Sequence, residues 1–491
     1  MAKYFVYILI AFFLTPFIID NIGTSQYGLL VVVLSLVGYA GILEMGVQSA
    51  IVKLVAQYAA EEEKDKVNEI FVTAFFFFLI IGLLSAVVFW FVIPPLTPFL
   101  LKDVKSLSVV NKLLVIFGFD LIVVFLKYVF SGFIYGLQIY HVKNFVDTVS
   151  GFLNAILIFF LLPGGSILII AGVKLFVDIV TAAALFILCR KAYPSLKINF
   201  SNVSKQSFHE LLRFGGKIFA SATMVRIANN FDPLIITYYL TTTWTAIFAI
   251  PRRLVDYLKE ISWAFTTGFM PAFSELQGKN DLETIRAIYL RYTRYIIILI
   301  FPVVIAVMVY GVPFIRLWVG EEFADKGSIL VSLLAGAFAV ESFQPLLWRL
   351  FIGVGRLNIL VKVSAATSAA YIIMALILVK FYGINGIGVS ALLIAFFNQS
   401  IFLFYACEYM RISKLEYFMK CHFAPLSISL FFGCALYGLS QLFPPVSYMM
   451  IMMQFAAVLP LYAALVYFFA LGQDEKEHIT IMMRRYVSEK I

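Results

Sequence analysis

Long apolar segments, each about 20 residues in length, recur from one end of the chain to the other. A segment of this length crosses the hydrocarbon core of a bilayer as a helix. Within that core, only helices and closed barrels satisfy all of their backbone hydrogen bonds. These segments are continuously apolar and do not alternate as barrel strands do. The chain is therefore predicted to be an all-α polytopic membrane protein.

We identify fourteen such segments, separated by turn residues or charges. They are 4–20, 27–50, 70–92, 110–132, 143–162, 166–189, 214–239, 244–270, 292–314, 328–350, 358–380, 384–406, 422–443 and 447–471. Composition agrees, because 62% of the residues are hydrophobic and 13% are charged, whereas soluble domains are about half apolar and about a quarter charged. The first segment lacks a small-residue cleavage site, so we expect it to be a retained helix.

The distribution of Lys and Arg predicts the orientation. One set of alternate loops carries about four times as many basic residues as the other. The positive-inside rule then places both termini in the cytoplasm. The net charge of +9 follows from this bias, favours contact with anionic membrane lipids and requires no nucleic-acid partner.

An internal repeat organises the chain. Pro16 and Pro233 lie 217 positions apart, and so do Thr24 and Thr241. After one intervening residue, each proline is followed by an Ile-Ile pair. We expect each proline to break its helix and act as a hinge, in two pseudo-symmetric six-helix lobes. The predicted regions are an N-lobe at 1–189, a cytoplasmic linker at 190–213, a C-lobe at 214–406, two further helices at 407–472 and a cytoplasmic tail at 473–491.

Charged residues within the spans are expensive in lipid and are candidates for function. In span 8, Arg252, Asp256, Lys259 and Glu260 share one helical face, and Arg253 lies about 100° away. We expect Asp256 to neutralise one arginine and Glu260 to pair with Lys259 or Arg253. Either an internal salt-bridge network or a cavity wall that binds an anion would explain this face.

Other spans add further candidates. Span 7 contributes Arg226, Asn230 and Asp232, span 2 contributes Glu44, and span 4 contributes Asp120 and Lys127. Asp232 is the best candidate for coupling transport to H+ or Na+. Two further pairs, Lys143–Asp147 and Lys174–Asp178, have the spacing of structural salt bridges.

Enzymatic motifs are not found in the sequence. The four cysteines and four histidines do not form a metal-binding pattern, and Gly215-Gly216-Lys217 lacks the spacing of a nucleotide-binding loop. We therefore expect neither a metal nor a cofactor, nor ATP hydrolysis. The protein is predicted to be a transporter and not an enzyme.

Several motifs in the N-terminal region are similar to those of a known group. They are Thr15-Pro16-Phe17-Ile18-Ile19, Gly23-Thr24-Ser25-Gln26-Tyr27-Gly28, Leu43-Glu44-Met45-Gly46-Val47, the acidic stretch 61–65, and Gly136-Leu137-Gln138. The chain resembles the O-antigen-type flippases of the multidrug/oligosaccharidyl-lipid/polysaccharide exporter superfamily. The resemblance is most specific over the first 50 or so residues and elsewhere rests on architecture.

The resemblance implies two lobes around a central cavity that work by alternating access. It implies a cargo of oligosaccharide on polyprenyl pyrophosphate, carried to the periplasmic leaflet of the bacterial inner membrane alongside a polysaccharide polymerase. Arginines of spans 7 and 8 suit such an anionic headgroup. A lipid II flippase and a cation-coupled multidrug exporter of the same superfamily remain alternatives. A membrane polymerase or ligase would need larger outer loops than this chain has.

Overall fold

The computed structural model describes residues 2–44, 46–104 and 107–477. This part of the chain is almost entirely helical and contains no strand, so the predicted all-α fold is confirmed. The α-helices are α1 (Ala2–Ile22), α2 (Thr24–Ala40), α3 (Val47–Ala60), α4 (Lys64–Val87), α5 (Thr97–Leu100), α6 (Leu107–Gly136), α7 (Tyr140–Leu161), α8 (Ile167–Ala192), α9 (Lys205–Tyr239), α10 (Thr242–Phe265), α11 (Phe269–Gly278), α12 (Leu282–Val319), α13 (Glu321–Glu341), α14 (Gln344–Gly353), α15 (Leu357–Tyr382), α16 (Ile384–Met410), α17 (Lys414–Phe418), α18 (Ala424–Leu442) and α19 (Tyr448–Leu465).

The chain divides into two compact units. The first comprises Met1–Ala249 and Ser364–Ile387, and the second comprises Ile250–Val363 and Gly388–Ile491. The predicted lobes, linker and tail are inferred from the sequence repeat, whereas the two units are defined by the packing of the chain. The boundaries of the lobes, linker and tail therefore stay a prediction. Most of the predicted tail, from 478 onward, lies outside the described residues.

A helix lies at each of the fourteen predicted segments. Within the described residues, eleven helical segments are long and apolar enough to cross a membrane, which confirms a multi-pass membrane protein. The segments of α1, α9 and α10 are not among the eleven: the apolar part of α1, Val6–Ile22, is short, and α9 and α10 carry the charged residues discussed above. The count of fourteen spans therefore stays a prediction.

Two of the predicted spans are interrupted. The segment predicted at 27–50 ends as an α-helix at Ala40, passes through a 3-10 turn at Gly41–Glu44 and restarts at Val47. Gly46 takes a φ of 67° there, in the left-handed region that glycine occupies without strain. The segment predicted at 328–350 is divided at Ser342 and Phe343, between α13 and α14. Both segments are therefore helical with an interruption, which the apolar pattern alone does not predict.

The two repeated prolines do not interrupt their helices. Pro16 lies inside α1 and Pro233 lies inside α9. Proline removes one intrahelical hydrogen bond, and the Thr15 hydroxyl supplies an additional local bond by donating to the Ala11 carbonyl at 2.7 Å. The predicted helix break at these positions is wrong, and the hinge role of the two prolines stays a prediction.

Helix α6 lies at the centre of the first unit, where it packs against α3, α4 and α8. Small residues allow the approach of α3: a Cβ atom on Gly136 would lie 2.7 Å from Val55 Cβ, and one on Gly132 would lie 3.2 Å from the Gln48 carbonyl oxygen. In a membrane, where lipid tails are as apolar as side chains, close packing of this kind is a main source of helix association.

Equivalent residues of the two repeats touch at the starts of α2 and α10. Ser25 and Thr242 lie 217 positions apart, and their hydroxyl oxygens are 2.9 Å apart. Thr242 donates both its backbone N–H, at 2.8 Å, and its hydroxyl, at 2.7 Å, to the Asp103 carboxylate. Because the Thr242 proton is directed at Asp103, Ser25 is the donor in the bond between the two hydroxyls.

In the second unit, Glu475 fixes the segment that follows α19. Its carboxylate accepts hydrogen bonds from Arg294 Nη2 at 2.5 Å, from the Tyr295 hydroxyl at 2.6 Å and from the Gly472 backbone N–H at 2.7 Å. Burial raises the pKa of Glu475, but the bonds from Tyr295 and Gly472 and the charge of Arg294 lower the pKa more. The net pKa lies below the ordinary glutamate value of 4.5.

We call the contacts of Glu475 with Arg294, Tyr295 and Gly472 the Glu475 clasp, and we expect these contacts to break in acid. A lowered folded-state pKa stabilises the clasp above the ordinary value of 4.5, and the stabilisation is lost as the pH falls through the lowered pKa. Hydrogen exchange of the peptide containing Gly472, corrected against the loop at 162–167, which lacks acidic residues, should accelerate in acid. The Glu475→Gln variant should exchange rapidly even at neutral pH, and slow exchange of that variant would contradict the clasp.

Candidate substrate site

The charged face of α10 is present in the second unit as predicted. Arg252 Nε donates to both carboxylate oxygens of Asp256, at 3.0 and 3.3 Å. One turn further, Lys259 Nζ lies 3.5 Å from a carboxylate oxygen of Glu341, at the end of α13. The face therefore joins α10 to α13 through an ion pair, and the expected pairing of Lys259 with Glu260 is wrong.

Arg253 lies beside this face, and Glu260 lies at its edge. Arg253 Nε donates to the Tyr257 hydroxyl at 3.2 Å, and the guanidinium carbon is 5.5 Å from the centre of the Tyr257 ring. Glu260 is exposed and forms no salt bridge with any described residue. Its expected direct pairing with Arg253 is therefore not seen.

A second charged group forms in the first unit, where α9 meets the break after α2. Arg226 Nη1 donates to the Gly41 carbonyl at 2.8 Å and lies 3.5 Å from a Glu44 carboxylate oxygen. The Glu44 side chain is 9% exposed, whereas that of Arg226 is 47% exposed. Arg226 thus neutralises a buried carboxylate through a long contact, while nearly half of its side chain remains exposed.

Beyond Arg226, α9 contacts α2 at Asn230 and α15 at Asp232. Asn230 Nδ2 donates to the Arg226 carbonyl at 2.9 Å, and Gly38 leaves the space that the Asn230 amide occupies, since a Cβ there would lie 2.3 Å from Asn230 Oδ1. Asp232 is 1% exposed, and its Oδ1 accepts a 2.6 Å hydrogen bond from the Tyr371 hydroxyl of α15. A buried carboxyl group of this kind can take up a proton or help to bind a cation.

Asp120 and Lys127 belong to a third charged group, which links α6 to α8 in the first unit. Lys127 bonds to Asp178 at 2.5 Å, Asp178 bonds to Lys174 at 2.7 Å, and Lys174 bonds to Asp120 at 2.5 Å. We call this chain of ion pairs the α6–α8 tetrad. Its two carboxylates and two ammonium groups cancel in charge. The tetrad is therefore a structural link between helices, and Asp120 and Lys127 are placed in it and not against Arg226.

Some residues of these groups were not among the predicted site residues. Glu341 and Tyr371 come from helices distant in sequence, and no local spacing points to them. Lys174 and Asp178 were predicted only as a salt bridge within one helix, and their pairing with α6 depends on which helices are neighbours. The Lys143–Asp147 bridge is present, at 2.5 Å. Among the described residues, no group of His, Cys, Asp and Glu could hold a metal ion.

Comparison with known proteins places the chain. The family model for polysaccharide biosynthesis proteins matches residues 22–327. The chain belongs to that family. A Shigella flexneri protein assigned as an O-antigen transporter is 20% identical over 381 residues, which cover 76% of this chain and 88% of the relative.

Solved structures show the same fold. The lipid II flippase MurJ, in an inward closed conformation, has a TM-score of 0.72 at 14% identity, over 95% of this chain and 98% of its own. An inward-facing multidrug transporter of the MATE family has a TM-score of 0.67 at 16% identity, over 84% and 96%. The predicted resemblance to the polysaccharide members of the multidrug/oligosaccharidyl-lipid/polysaccharide exporter superfamily is confirmed, and the chain has the fold of these solved structures.

Proposed function

We propose that the protein is a flippase for oligosaccharides carried on polyprenyl pyrophosphate. It moves them from the cytoplasmic to the periplasmic leaflet of the bacterial inner membrane by alternating access, and both of its own termini lie in the cytoplasm. It breaks no bond and needs no cofactor. Family membership and the similarity to a relative assigned as an O-antigen transporter support this cargo class. A polysaccharide polymerase would use the translocated product.

The observation that carries the proposal is the state of Arg226. This arginine lies within α9 and is 47% exposed, although its partner Glu44 is 9% exposed. A guanidinium held at 3.5 Å from one carboxylate oxygen retains N–H donors for a second anion. Pyrophosphate is such an anion, and its charge makes unaided passage through a low-dielectric core prohibitive. Arginine binds phosphate oxygens bidentately, which a lysine does not.

Asp232 is the proposed coupling residue. Its carboxyl group is buried against the Tyr371 hydroxyl at 2.6 Å, in the same helix as Arg226. Uptake of H+ or Na+ there would change the charge of α9 about 1.7 turns beyond the arginine. A gradient of either ion could then drive return of the unloaded carrier.

A flippase-null strain provides the test. We expect Arg226→Ala to reduce surface polysaccharide at least about tenfold, the effect of losing one charged hydrogen bond, and Arg226→Lys to retain part of the export. Arg316→Ala should export normally, since Arg316 pairs with an exposed Asp325. Immunoblots of surface polysaccharide measure export, and membrane levels of each variant confirm insertion.

A double variant distinguishes binding of the cargo by Arg226 from simple neutralisation of Glu44 by Arg226. If Arg226 only compensates Glu44, the double variant Arg226→Gln with Glu44→Gln will restore export, which would contradict the proposal. If Arg226 binds the cargo, the double variant will remain as defective as Arg226→Ala.

A lipid II flippase is the second candidate, favoured by the 0.72 TM-score over 95% of the chain. It would use the same anionic headgroup chemistry, and complementation of a strain lacking its lipid II flippase distinguishes it. A cation-coupled multidrug exporter would need acidic groups available to cations. Glu44 is instead paired with Arg226 and Asp256 with Arg252, so that candidate would depend chiefly on the buried Asp232 and is disfavoured.

A further inference from the structure

The charged face of α10 ends on a tryptophan. Arg252, Asp256, Lys259 and Trp263 follow one another at intervals of four, three and four residues, so they lie on one face of the helix. Trp263 is 39% exposed. Its neighbours come from α14: the ring of Trp348 lies 6.0 Å from that of Trp263, at 72°, and the Arg349 guanidinium carbon lies 5.3 Å from the Trp263 ring centre.

Arg349 has no carboxylate partner among the described residues. The acidic residue nearest before it in the chain, Glu341, pairs with Lys259. Arg349 Nε is buried and makes no hydrogen bond. A half-buried arginine in an apolar helical segment is costly unless a charge or a polar ligand satisfies it, and a cation–π contact compensates only part of that cost.

The guanidinium of Arg349 has N–H donors that no carboxylate of the described residues satisfies. A guanidinium carries five N–H donors in one plane, so it can contact an aromatic ring and still bind a second group. Those donors match phosphate oxygens. The indole of Trp263, in turn, offers a large flat apolar surface and one N–H donor. The C–H face of a sugar ring is the complementary shape.

We propose that Trp263, Trp348 and Arg349 form a glycosyl phosphate subsite in the second unit. Arg349 binds a phosphate oxygen, Trp263 packs against the first sugar, and Trp348 holds the Trp263 ring at its edge. The subsite rests on the proposed function, because it supplies the cargo recognition that a flippase for lipid-linked sugars requires. An ordinary phospholipid headgroup offers the phosphate without the flat sugar face.

Binding of soluble probes to the full chain tests the subsite. The protein is placed in nanodiscs of phosphatidylcholine and titrated calorimetrically with N-acetylglucosamine 1-phosphate, galactose 1-phosphate, free N-acetylglucosamine and inorganic phosphate. We expect at least one sugar phosphate to bind more tightly than either free sugar or phosphate. Arg349→Gln should weaken its binding about 10- to 100-fold, the range for one charge-assisted hydrogen bond.

Variants separate the two contacts. Trp263→Leu should remove the preference for sugar phosphate over inorganic phosphate, and Arg349→Lys should keep part of the affinity if the protein is folded. Arg356→Gln is the matched control, because Arg356 is an exposed arginine of the same unit whose guanidinium carbon lies 4.7 Å from the Tyr409 ring centre. Its affinity should equal that of the unmodified protein.

Three results would overturn the subsite. They are no binding of either sugar phosphate, unchanged binding by Arg349→Gln, and equal competition from phosphatidylglycerol in the nanodisc, which would indicate a general headgroup contact. None of these results changes the outcome expected for the Arg226 variants in the export assay. Conversely, normal sugar phosphate binding by a chain that fails to restore export would overturn the flippase and leave the subsite in place.

Discussion

The Asp178→Asn variant is expected to lose about 3–5 kcal/mol of stability, the cost of removing one partner from a buried ion pair. Asp178 lies between two ammonium groups, with Lys127 at 2.5 Å and Lys174 at 2.7 Å. Its side chain is 14% exposed, and those of Lys127 and Lys174 are 23% and 32% exposed, so solvent can replace it as a partner only in part. Asparagine would leave two positive charges in the α6–α8 tetrad against the single carboxylate of Asp120. Thermal unfolding in detergent and the amount of protein in membranes measure the loss.

Removing the unbalanced charge should restore much of that stability. The double variant Asp178→Asn with Lys127→Met leaves one neutral pair, Lys174–Asp120, at 2.5 Å. We expect it to be more stable than Asp178→Asn alone, which is the coupling that a double-mutant cycle measures. Asp325→Asn is the exposed control and should cost less than about 1 kcal/mol. An Asp178→Asn variant as stable as that control would show that the tetrad does not hold α6 to α8.

Gly28→Ala is expected to be the most damaging small substitution, with a loss of about 3 kcal/mol or more, at the upper end for overpacking. A Cβ atom on Gly28 would lie 1.8 Å from the Thr242 carbonyl oxygen and 2.6 Å from the carbonyl carbon. Both are backbone atoms, so no side-chain rotation relieves the clash, and α2 and α10 would have to separate. The separation would also break the bond between Ser25 and Thr242. Unfolding in detergent gives the loss directly.

Gly172→Ala is the matched control for this substitution. Gly172 also lies within an apolar helix, α8, but a Cβ atom there would meet no atom within 4 Å. Because glycine weakens a helix interior by roughly 0.5–1 kcal/mol relative to alanine, this variant should be as stable as the unmodified protein or slightly more stable. Equal stability of the two alanine variants would contradict the close approach of α2 and α10.

Local patterns predicted much of this fold because each depends on a few consecutive residues. Apolar segments place the helices, and the spacing of Arg252 and Asp256 or of Lys174 and Asp178 gives their intrahelical pairs. The interruption at Gly41–Glu44 was missed because its residues are apolar enough to continue a span. Only the left-handed Gly46 and the buried Glu44 mark the site, and both have other common explanations.

Contacts between distant helices could not be predicted from one sequence. Arg226 and Glu44 are 182 residues apart, and each is simply a charged residue in an apolar segment until α9 is packed on α2. Lys259 pairs with Glu341 and not with Glu260, the next residue in the chain, because the Glu341 carboxylate of α13 lies opposite Lys259. Arg349 became a candidate binding residue only because its guanidinium lies near the Trp263 ring. A count of charges in the sequence does not reveal that contact.

The hydroxyl pair at the starts of α2 and α10 also bears on ancestry. If the repeat arose by gene duplication of a half-length chain, two copies of that chain would have met as a symmetric dimer, in which a residue near the two-fold axis touches its own copy. A side chain that only donates or only accepts hydrogen bonds is excluded at such a position, because two donors or two acceptors would then face each other. A hydroxyl does both, and serine and threonine still occupy the two sides of that contact.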